Sequence, residues 1–268
     1  MNLQQQTKQN YSSHTSYILF PRKKIVSFFI IVFLYLAGLC VTAITKPPYI
    51  LNILIVYLPG LVYTLFLLKR SRKKIILFGL ISLLFIIPVE IIARDSNSWD
   101  VLSVFPRILG IAPIENIIYA IVNLTFPLAF YEYFYDEDRS GTLSRNWKYL
   151  FSIYCVLFAS TLVWFFNFRE VFHLNYFFIG ITIILPLLFA LLTIKRHIIK
   201  RLLVPAVTFG AMFAIHELLS MQLGHWWWPG EYLLPISVMG QVYPLDDFII
   251  WILLSNIGVI VGYELLWD

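Results

Sequence analysis

Residues 244–266 read PLDDFIIWILLSNIGVIVGYELL, and residues 113–135 read PIENIIYAIVNLTFPLAFYEYFY. Each stretch opens with Pro, an aliphatic residue and an acidic residue, and continues as an apolar run of the roughly 20 residues that a helix needs to cross a bilayer. Proline suits the first turn of a helix, and an acidic side chain there lies at the positive end of the helix dipole. Both stretches are therefore predicted to be membrane-spanning helices.

The rest of the chain has the same character, since 60% of its residues are hydrophobic and only 13% are charged. Backbone groups inside lipid must bond internally, so apolar runs of this kind predict helices rather than barrel strands. The sequence predicts an all-α, polytopic membrane helix bundle. About eight transmembrane helices are expected, at 25–45, 49–68, 75–93, 113–135, 147–168, 174–194, 202–222 and 244–266.

The two halves of the chain carry similar residues in the same order. Glu90 precedes Trp99 by nine positions, as Glu217 precedes Trp226. Further repeated residues are Gly110, Pro113, Glu115, Tyr131 and Glu132 in the first half, and Gly240, Pro244, Asp246, Tyr263 and Glu264 in the second. Because four spans fall in each half, the halves are predicted to be parallel four-helix repeats, at 21–145 and 146–268.

The distribution of basic residues predicts the orientation in the membrane. Of the 20 Lys and Arg residues, only Lys46, Arg94, Arg107 and Arg169 fall on the side opposite the N-terminus. Basic residues favour the cytoplasmic side, so both termini are predicted to be cytoplasmic, in the cell (inner) membrane. Since the excess positive charge reports topology, no nucleic-acid partner is expected. Residues 1–20 are polar and are predicted to form a disordered tail.

Acidic residues repeated inside apolar segments indicate a functional site, because ionisable groups are costly in a membrane. The predicted acid or base groups are Glu115 and Asp246, although an acidic residue in a first helical turn can also be a simple cap. Expected supporting residues are Glu90, Glu217, Asp247 and Asn116, with His216 as a weaker candidate. Tyr131-Glu132 and Tyr263-Glu264 lie about 25 Å away along their helices and are interpreted as structural.

Aromatic residues of the two long loops are the predicted substrate-binding groups. They are Trp99, Trp226, Trp227, Trp228 and Tyr243. Electron-rich ring faces attract cations and would stabilise a carbocation, whereas the alternative is an interfacial aromatic belt. No metal and no cofactor is predicted, because phosphate-loop, dinucleotide and Cys/His metal motifs are missing from the sequence. The run Asp136-Glu137-Asp138 is interpreted as a solvated loop.

Trp99 followed by RILGIAPIE at 107–115 resembles the membrane-integral lycopene cyclase domain, whose tandem fusions carry Pro-x-Glu-Glu at a helix start after a Trp- and Gly-containing loop. GQVYPLDDF at 240–248 resembles the same element. In the first copy, Asn116 stands where the family has its second Glu. In the second copy, Asp246-Asp247 stands where the family has Glu-Glu. The resemblance implies non-redox cyclisation of the end group of a lycopene-like polyene through a carbocation, with no flavin. Its substrate would be a lipid-soluble polyene or isoprenoid taken from membrane lipid.

Two other functions are compatible with the residues. An intramembrane, Mg²⁺-dependent transferase or cyclase of prenyl diphosphates needs paired acidic motifs, for which Asp246-Asp247 is a candidate. A non-catalytic polyene-binding protein would use its carboxylates only to tie helices together, and Asn116 favours this alternative. The identity of the isoprenoid, the number of sites and the oligomeric state stay open.

Overall fold

The computed structural model describes residues 21–138, 142–168 and 175–267, so the predicted tail at 1–20 lies outside the described residues. Eight long helical segments make up most of this part of the chain. They are α1 (Arg22–Thr45), α2 (Tyr49–Leu67), α3 (Arg72–Asp95), α4 (Ile114–Phe134), α5 (Trp147–Phe168), α6 (Asn175–Thr193), α7 (Ile199–Gln222) and α8 (Leu245–Leu266).

Seven of these helices, all except α6, are long and apolar enough to cross a membrane. Helix α6 contains a shorter apolar segment, Phe177–Thr193, which falls below that length. The predictions of a mainly helical fold and of several helices that could span a membrane are confirmed.

Short turns between the first helices follow from local sequence. Lys46 ends α1 in the left-handed conformation, with a φ of 46°. Pro47 and Pro48 follow, cannot extend the helix, and lead directly into α2. The two helices then pack closely at Gly38, where an added Cβ would lie 2.6 Å from the Ile55 carbonyl oxygen. Glycine is required there because any side chain would push α1 away from α2.

Helix α4 lies at the centre of the bundle and packs against α2, α3, α7 and α8. It is also the spanning helix with the largest buried share, 72% of its apolar window. Fully buried rings of Phe126 and Phe130 pack against Phe209 of α7 at 4.8 and 5.3 Å between centroids. This central aromatic core fixes α4, and with it the residues at the start of that helix.

The side of the bundle that carries residues 96–113 and 223–244 is called here the long-loop side, and the opposite side the short-loop side. Two strands, β1 (Asp100–Val101) and β2 (Trp226–Trp227), pair antiparallel and join the long loops. A hairpin of β3 (Pro235–Val238) and β4 (Gln241–Pro244) follows in the second loop. The sequence predicted neither sheet.

Ionic contacts hold the first long loop in place. Asp100 bonds Arg94, and its Oδ1 accepts a hydrogen bond from Arg107 Nη2 at 3.0 Å. The Tyr232 hydroxyl of the second loop donates to the Ser98 carbonyl of the first. The two loops therefore form one cover over the end of the bundle.

On the short-loop side, Asp138 ties α4 to α3, so it is not the solvated residue that the sequence suggested. Its carboxylate accepts hydrogen bonds from the backbone N–H groups of Lys69 at 2.7 Å, Arg70 at 2.9 Å and Ser71 at 2.7 Å. Partial burial opposes ionisation, but these bonds and one from the Ser71 hydroxyl outweigh it, so the pKa of the Asp138 carboxyl is lowered.

Helix α8 contains a π-helical segment, Phe248–Leu254, directly after its first turn. Helix α4 has no such segment and is α-helical throughout. A π-helical segment widens a helix by one residue per turn and is frequent at functional sites. This segment follows Asp247 and contains Trp251, and both residues line an internal cavity of the bundle.

Candidate active site

A chamber of about 370 Å³ lies between α3, α4, α5, α6 and α8. Most of its wall consists of aliphatic and aromatic side chains. Four polar residues, Glu90, Asn116, Glu217 and Asp247, lie near the long-loop ends of their helices and line the chamber. All four are candidates from the sequence. The fold thus brings one pair from each half of the chain to the same end of one cavity.

Glu90 is held in a defined orientation by two donors. Its Oε2 accepts a hydrogen bond from Asn116 Nδ2 at 2.6 Å and another from the Trp99 indole N–H at 3.2 Å. The residue is only 5% exposed. Both hydrogen bonds end on Oε2, so neither of them occupies Oε1, where a proton can add. Glu90 is therefore suited to accept a proton from a substrate.

Glu217 is bound by two tyrosine hydroxyls. Tyr243 donates to Oε2 at 2.8 Å, and Tyr119 donates to Oε1 at 3.3 Å. Burial, and then the negative charge of nearby Glu217, raise the pKa of the Tyr243 phenol. Tyr243 consequently keeps its proton at neutral pH and acts as a donor. Both oxygens of Glu217 are therefore occupied, and its side chain is held in place.

Asp247 differs from Glu217, both of whose oxygens accept hydrogen bonds, because one of the Asp247 oxygens is unused. It is 4% exposed, and its Oδ1 has no hydrogen-bond partner within the described part of the chain. It interacts with the charge of Glu217 and with the Trp228 side chain. Two acidic groups that share an apolar site retain a proton between them, since two like charges repel. The occupied Glu217 leaves Asp247 as the place for that proton.

Glu115 and Asp246, the acids that the sequence put first, do not line the chamber. Glu115 Oε1 accepts hydrogen bonds from the backbone N–H groups of Val104 at 2.6 Å and Phe105 at 2.9 Å. Its Oε2 accepts one from the Ser103 hydroxyl at 2.7 Å. These contacts fold the first long loop back onto the start of α4, so the Glu115 side chain holds that loop in position.

Asp246 makes the corresponding contacts in the second half. Its Oδ2 accepts from the Leu233 N–H at 3.0 Å, and its Oδ1 accepts from the Leu234 N–H at 3.2 Å. The carboxylate therefore anchors the loop that leads into the β3–β4 hairpin. Because Asp246 points to the loop and Asp247 to the chamber, the two do not form a side-by-side carboxylate pair.

The aromatic candidates divide into three groups. Trp99 and Trp226 line the chamber. Trp228 packs behind them, with ring centroids 5.7 Å from Trp226 and 5.2 Å from Tyr243. Trp227 is 40% exposed and faces away from the site. Two of the predicted substrate-binding residues thus lie in the chamber wall, while Trp228 and Tyr243 pack outside it.

Sequence reasoning missed Tyr119 and Trp251, which also line the chamber. Trp251 packs edge-to-face against Trp99 at 5.7 Å. Trp251 lies four residues after Asp247, and Tyr119 lies three residues after Asn116. Helical spacing of three or four residues places side chains on one face, and this signal was available in the sequence.

His216 is buried but does not line the chamber. Its ring contacts Tyr57 at 4.8 Å and stacks on Tyr119 at 5.5 Å. Its Nε2 lies 3.5 Å from the Ser220 hydroxyl, at the limit of a hydrogen bond. Successive residues on a helix diverge by about 100°, so only Glu217 of this pair reaches the cavity.

The repeated Tyr-Glu pairs lie on the short-loop side and cross between helices. Tyr131 of α4 lies beside Glu264 of α8, and Tyr263 of α8 lies beside Glu132 of α4. Lys195 Nζ also contacts Glu264 at 3.7 Å. None of these four Tyr and Glu residues lines the chamber. The geometry agrees with their interpretation as structural contacts.

Within the described ranges, no group of three or more His, Cys, Asp or Glu side chains is placed to hold a metal ion. The chemistry that the chamber residues offer is proton transfer in a dry, aromatic environment. Comparisons of the chain with known protein families, with curated proteins and with solved structures gave no match.

Proposed function

We propose that this protein is an intramembrane acid–base enzyme that cyclises the end group of a lycopene-like polyene or related isoprenoid. The observation that carries the proposal is Asp247, a buried acid with an unused oxygen facing an apolar chamber. Buried polar groups normally have partners, so an unpartnered one at a cavity indicates a role toward a ligand. The lycopene cyclase resemblance of the two Pro-x-acidic elements points to the same chemistry.

Asp247 is assigned the role of acid, and Glu90 that of base. The Asp247 O–H gives its proton to a terminal double bond, which leaves a carbocation on the substrate. A second double bond attacks that cation and forms the ring C–C bond. Glu90 removes a proton from the cyclic cation and restores a double bond, so the product has the mass of the substrate. Proton return from Glu90 to Asp247 resets the site.

The chamber walls support the cationic intermediate. Trp99 and Trp251 present ring faces and edges at the polar end of the cavity. Cations gain about 1 to 2 kcal/mol from an aromatic face when desolvated. Tyr119 and Tyr243 hold the Glu217 side chain in place near Asp247, where a carboxylate would stabilise positive charge as it develops.

We further propose that the bundle consists of two parallel four-helix repeats, α1–α4 and α5–α8, with eight spans. Matching backbone contacts in the two halves support this arrangement. The Ser98 N–H bonds the Ala93 carbonyl after α3, and the His225 N–H bonds the Ser220 carbonyl after α7, at 2.7 and 2.9 Å. Likewise, Glu115 and Asp246 each bind two loop N–H groups.

The function is tested by expressing the chain in a host that accumulates lycopene and by separating the pigments with mass detection. The expected product has unchanged mass and the shorter-wavelength absorption of a ring-closed end group. Asp247→Asn should abolish this product with normal protein in the membrane. The matched control is Glu137→Gln, which removes an exposed acid on the short-loop side. Full activity of Asp247→Asn would overturn the assignment of the acid.

A non-catalytic binding role is the second candidate, and Asn116 favours it. Asn116 donates to Glu90 where the second half has an acid, Asp247. One corner of the site therefore carries a neutral amide where the other carries an acid. Lycopene retained by the purified protein but never converted would support this alternative. The prenyl diphosphate alternative is not favoured, because Asp246 is engaged with the loop.

A further inference from the structure

The space that corresponds to the chamber in the other half of the bundle is filled. In the proposed repeat arrangement it lies between α1, α2, α4 and α7. Tyr57 packs on Phe213 at 5.0 Å, and Phe126 packs on Phe209 at 4.8 Å. All four rings are fully buried. A pseudo-symmetric chain has thus kept a cavity on one side and packed aromatic rings on the other.

Helix α5 forms part of the outer wall of the chamber, next to α6. Leu150, Ile153, Tyr154 and Leu157 line the chamber from one face of this helix. Ile153 is 58% exposed and Leu157 is 38% exposed on the outer surface of the bundle. Only 17% of the apolar window of α5 is buried, the smallest share among the spanning helices. In a membrane, one layer of side chains therefore separates the chamber from lipid.

The seam between α3 and α5 consists of aromatic edges. Phe85 of α3 meets Tyr154 at 5.4 Å and Phe158 at 5.0 Å, both edge-to-face. Such contacts contribute about 0.5 to 1.5 kcal/mol each beyond burial. The Tyr154 hydroxyl also donates to the Ile183 carbonyl of α6 at 2.5 Å. The tight glycine contact that joins α1 to α2 at Gly38 has no counterpart among the contacts of this seam.

The size of the chamber limits what it can hold. A volume of about 370 Å³ lies near the lower end of the roughly 300 to 1,000 Å³ of small-molecule pockets. This space holds the terminal part of a long isoprenoid chain, and not the whole molecule. The three acidic lining residues, Glu90, Glu217 and Asp247, lie at one end of the cavity, so the terminus that reaches them is the part that reacts.

We propose that the chamber admits one end of a long isoprenoid hydrocarbon directly from the bilayer, through the seam between α3 and α5, and that it takes one end group at a time. The rest of the chain stays in the lipid beside α5. This inference rests on the proposed function for the chemistry at the polar end. The route of access is a property of the seam and is testable without turnover.

The test uses a polyprenyl hydrocarbon that carries a terminal diazirine, in phosphatidylcholine vesicles that contain the full-length protein. After irradiation, crosslinked peptides are identified by mass spectrometry. Crosslinks are expected on chamber residues of α3 and α8, around Glu90 and Trp251. Ile153→Trp, which fills the wall, should reduce these crosslinks several-fold. The matched control is Val156→Trp, since Val156 is 64% exposed on the same helix but does not line the chamber.

Two results would overturn the proposal. One is chamber labelling that Ile153→Trp leaves unchanged, which would mean another route. The other is labelling around Phe209 and Phe213, which would mean that the second side also accepts a chain. Because the probe reports access without reaction, absence of a cyclised pigment would count against the cyclase alone. A second bulky variant, Leu157→Trp, guards against a folding defect specific to position 153.

Discussion

At the starts of α4 and α8, the side chains of neighbouring residues point in opposite directions and therefore have different roles. Glu115 and Asp246 turn back to the loops, whereas Asn116 and Asp247 face the chamber. Hydropathy and spacing identify these positions, because acids in apolar sequence stand out. Spacing cannot tell which neighbour faces inward, since that depends on where each loop places its N–H groups. For this reason the sequence ranked Glu115 and Asp246 first.

The positioning role of Glu115 leads to a stability prediction. Glu115→Gln keeps the size of the side chain but loses the charge that binds two backbone N–H groups. A hydrogen bond to a charged group is worth about 1.5 to 3 kcal/mol, so a loss of about 1 to 3 kcal/mol is expected. The measurement is thermal unfolding in detergent, followed together with product formation.

The control for this change is Glu231→Gln, because Glu231 is an exposed acid on the same side of the bundle. It should leave the unfolding temperature unchanged. Glu115→Gln should retain part of its activity in proportion to the folded protein. Complete loss of activity with unchanged stability would show that Glu115 acts in the reaction itself, as the sequence pattern suggested.

Among the elements, the helices follow from hydropathy, while the strands and the π-helical segment do not. Each predicted span overlaps one observed helix, because apolar length alone decides whether a segment crosses lipid. The pairing of Val101 with Trp226 joins two loops that are distant in sequence, so no local pattern predicts it. The segment Phe248–Leu254 has the same apolar composition as an α-helix, so its sequence does not indicate the wider turn; in the fold it packs against α6 and α7.

The contact that Asp138 makes between the end of α4 and the turn before α3 should depend on pH. The pKa of this carboxyl is lowered in the folded protein, so its hydrogen bonds stabilise the fold above the unfolded value of about 3.9 and are lost as the pH falls through the folded value. Asp138→Asn should lower the unfolding temperature at neutral pH. The same variant should lose less stability than the wild type when the pH falls below about 4.

The measurement for Asp138 is the unfolding temperature between neutral pH and the acid range, for wild type and variant. Glu137→Gln serves as the control here too, since it changes the next acid and is exposed. The two curves for Asp138→Asn and wild type should converge in acid. Parallel curves at all pH values would mean that the three N–H bonds to Asp138 do not depend on its charge.

At the scale of the whole molecule, polar and apolar functions occupy separate regions. The paired loops cover the long-loop side, the polar end of the chamber lies just beneath, and aromatic packing fills the opposite half of the bundle. The repeat in the sequence predicts corresponding helices, but it cannot predict that only one of two related spaces is filled. That difference depends on ring sizes at positions such as Phe209 and Phe213, which read as ordinary core residues.

The number of spans decides on which side the C-terminus lies. Helix α6 has 19 residues and is about 28 Å long at 1.5 Å per residue, close to the roughly 30 Å of a hydrocarbon core. If α6 crosses, eight spans place both termini on one side; if it does not, seven place them on opposite sides.

Fluorescent-protein fusions, bright only in the cytoplasm, and phosphatase fusions, active only outside, are made at the C-terminus and at residue 233. We expect fluorescence at the C-terminus and phosphatase activity at 233, because the basic residues concentrate on the short-loop side. An active phosphatase at the C-terminus would contradict the eight-span arrangement and, with it, the parallel repeats.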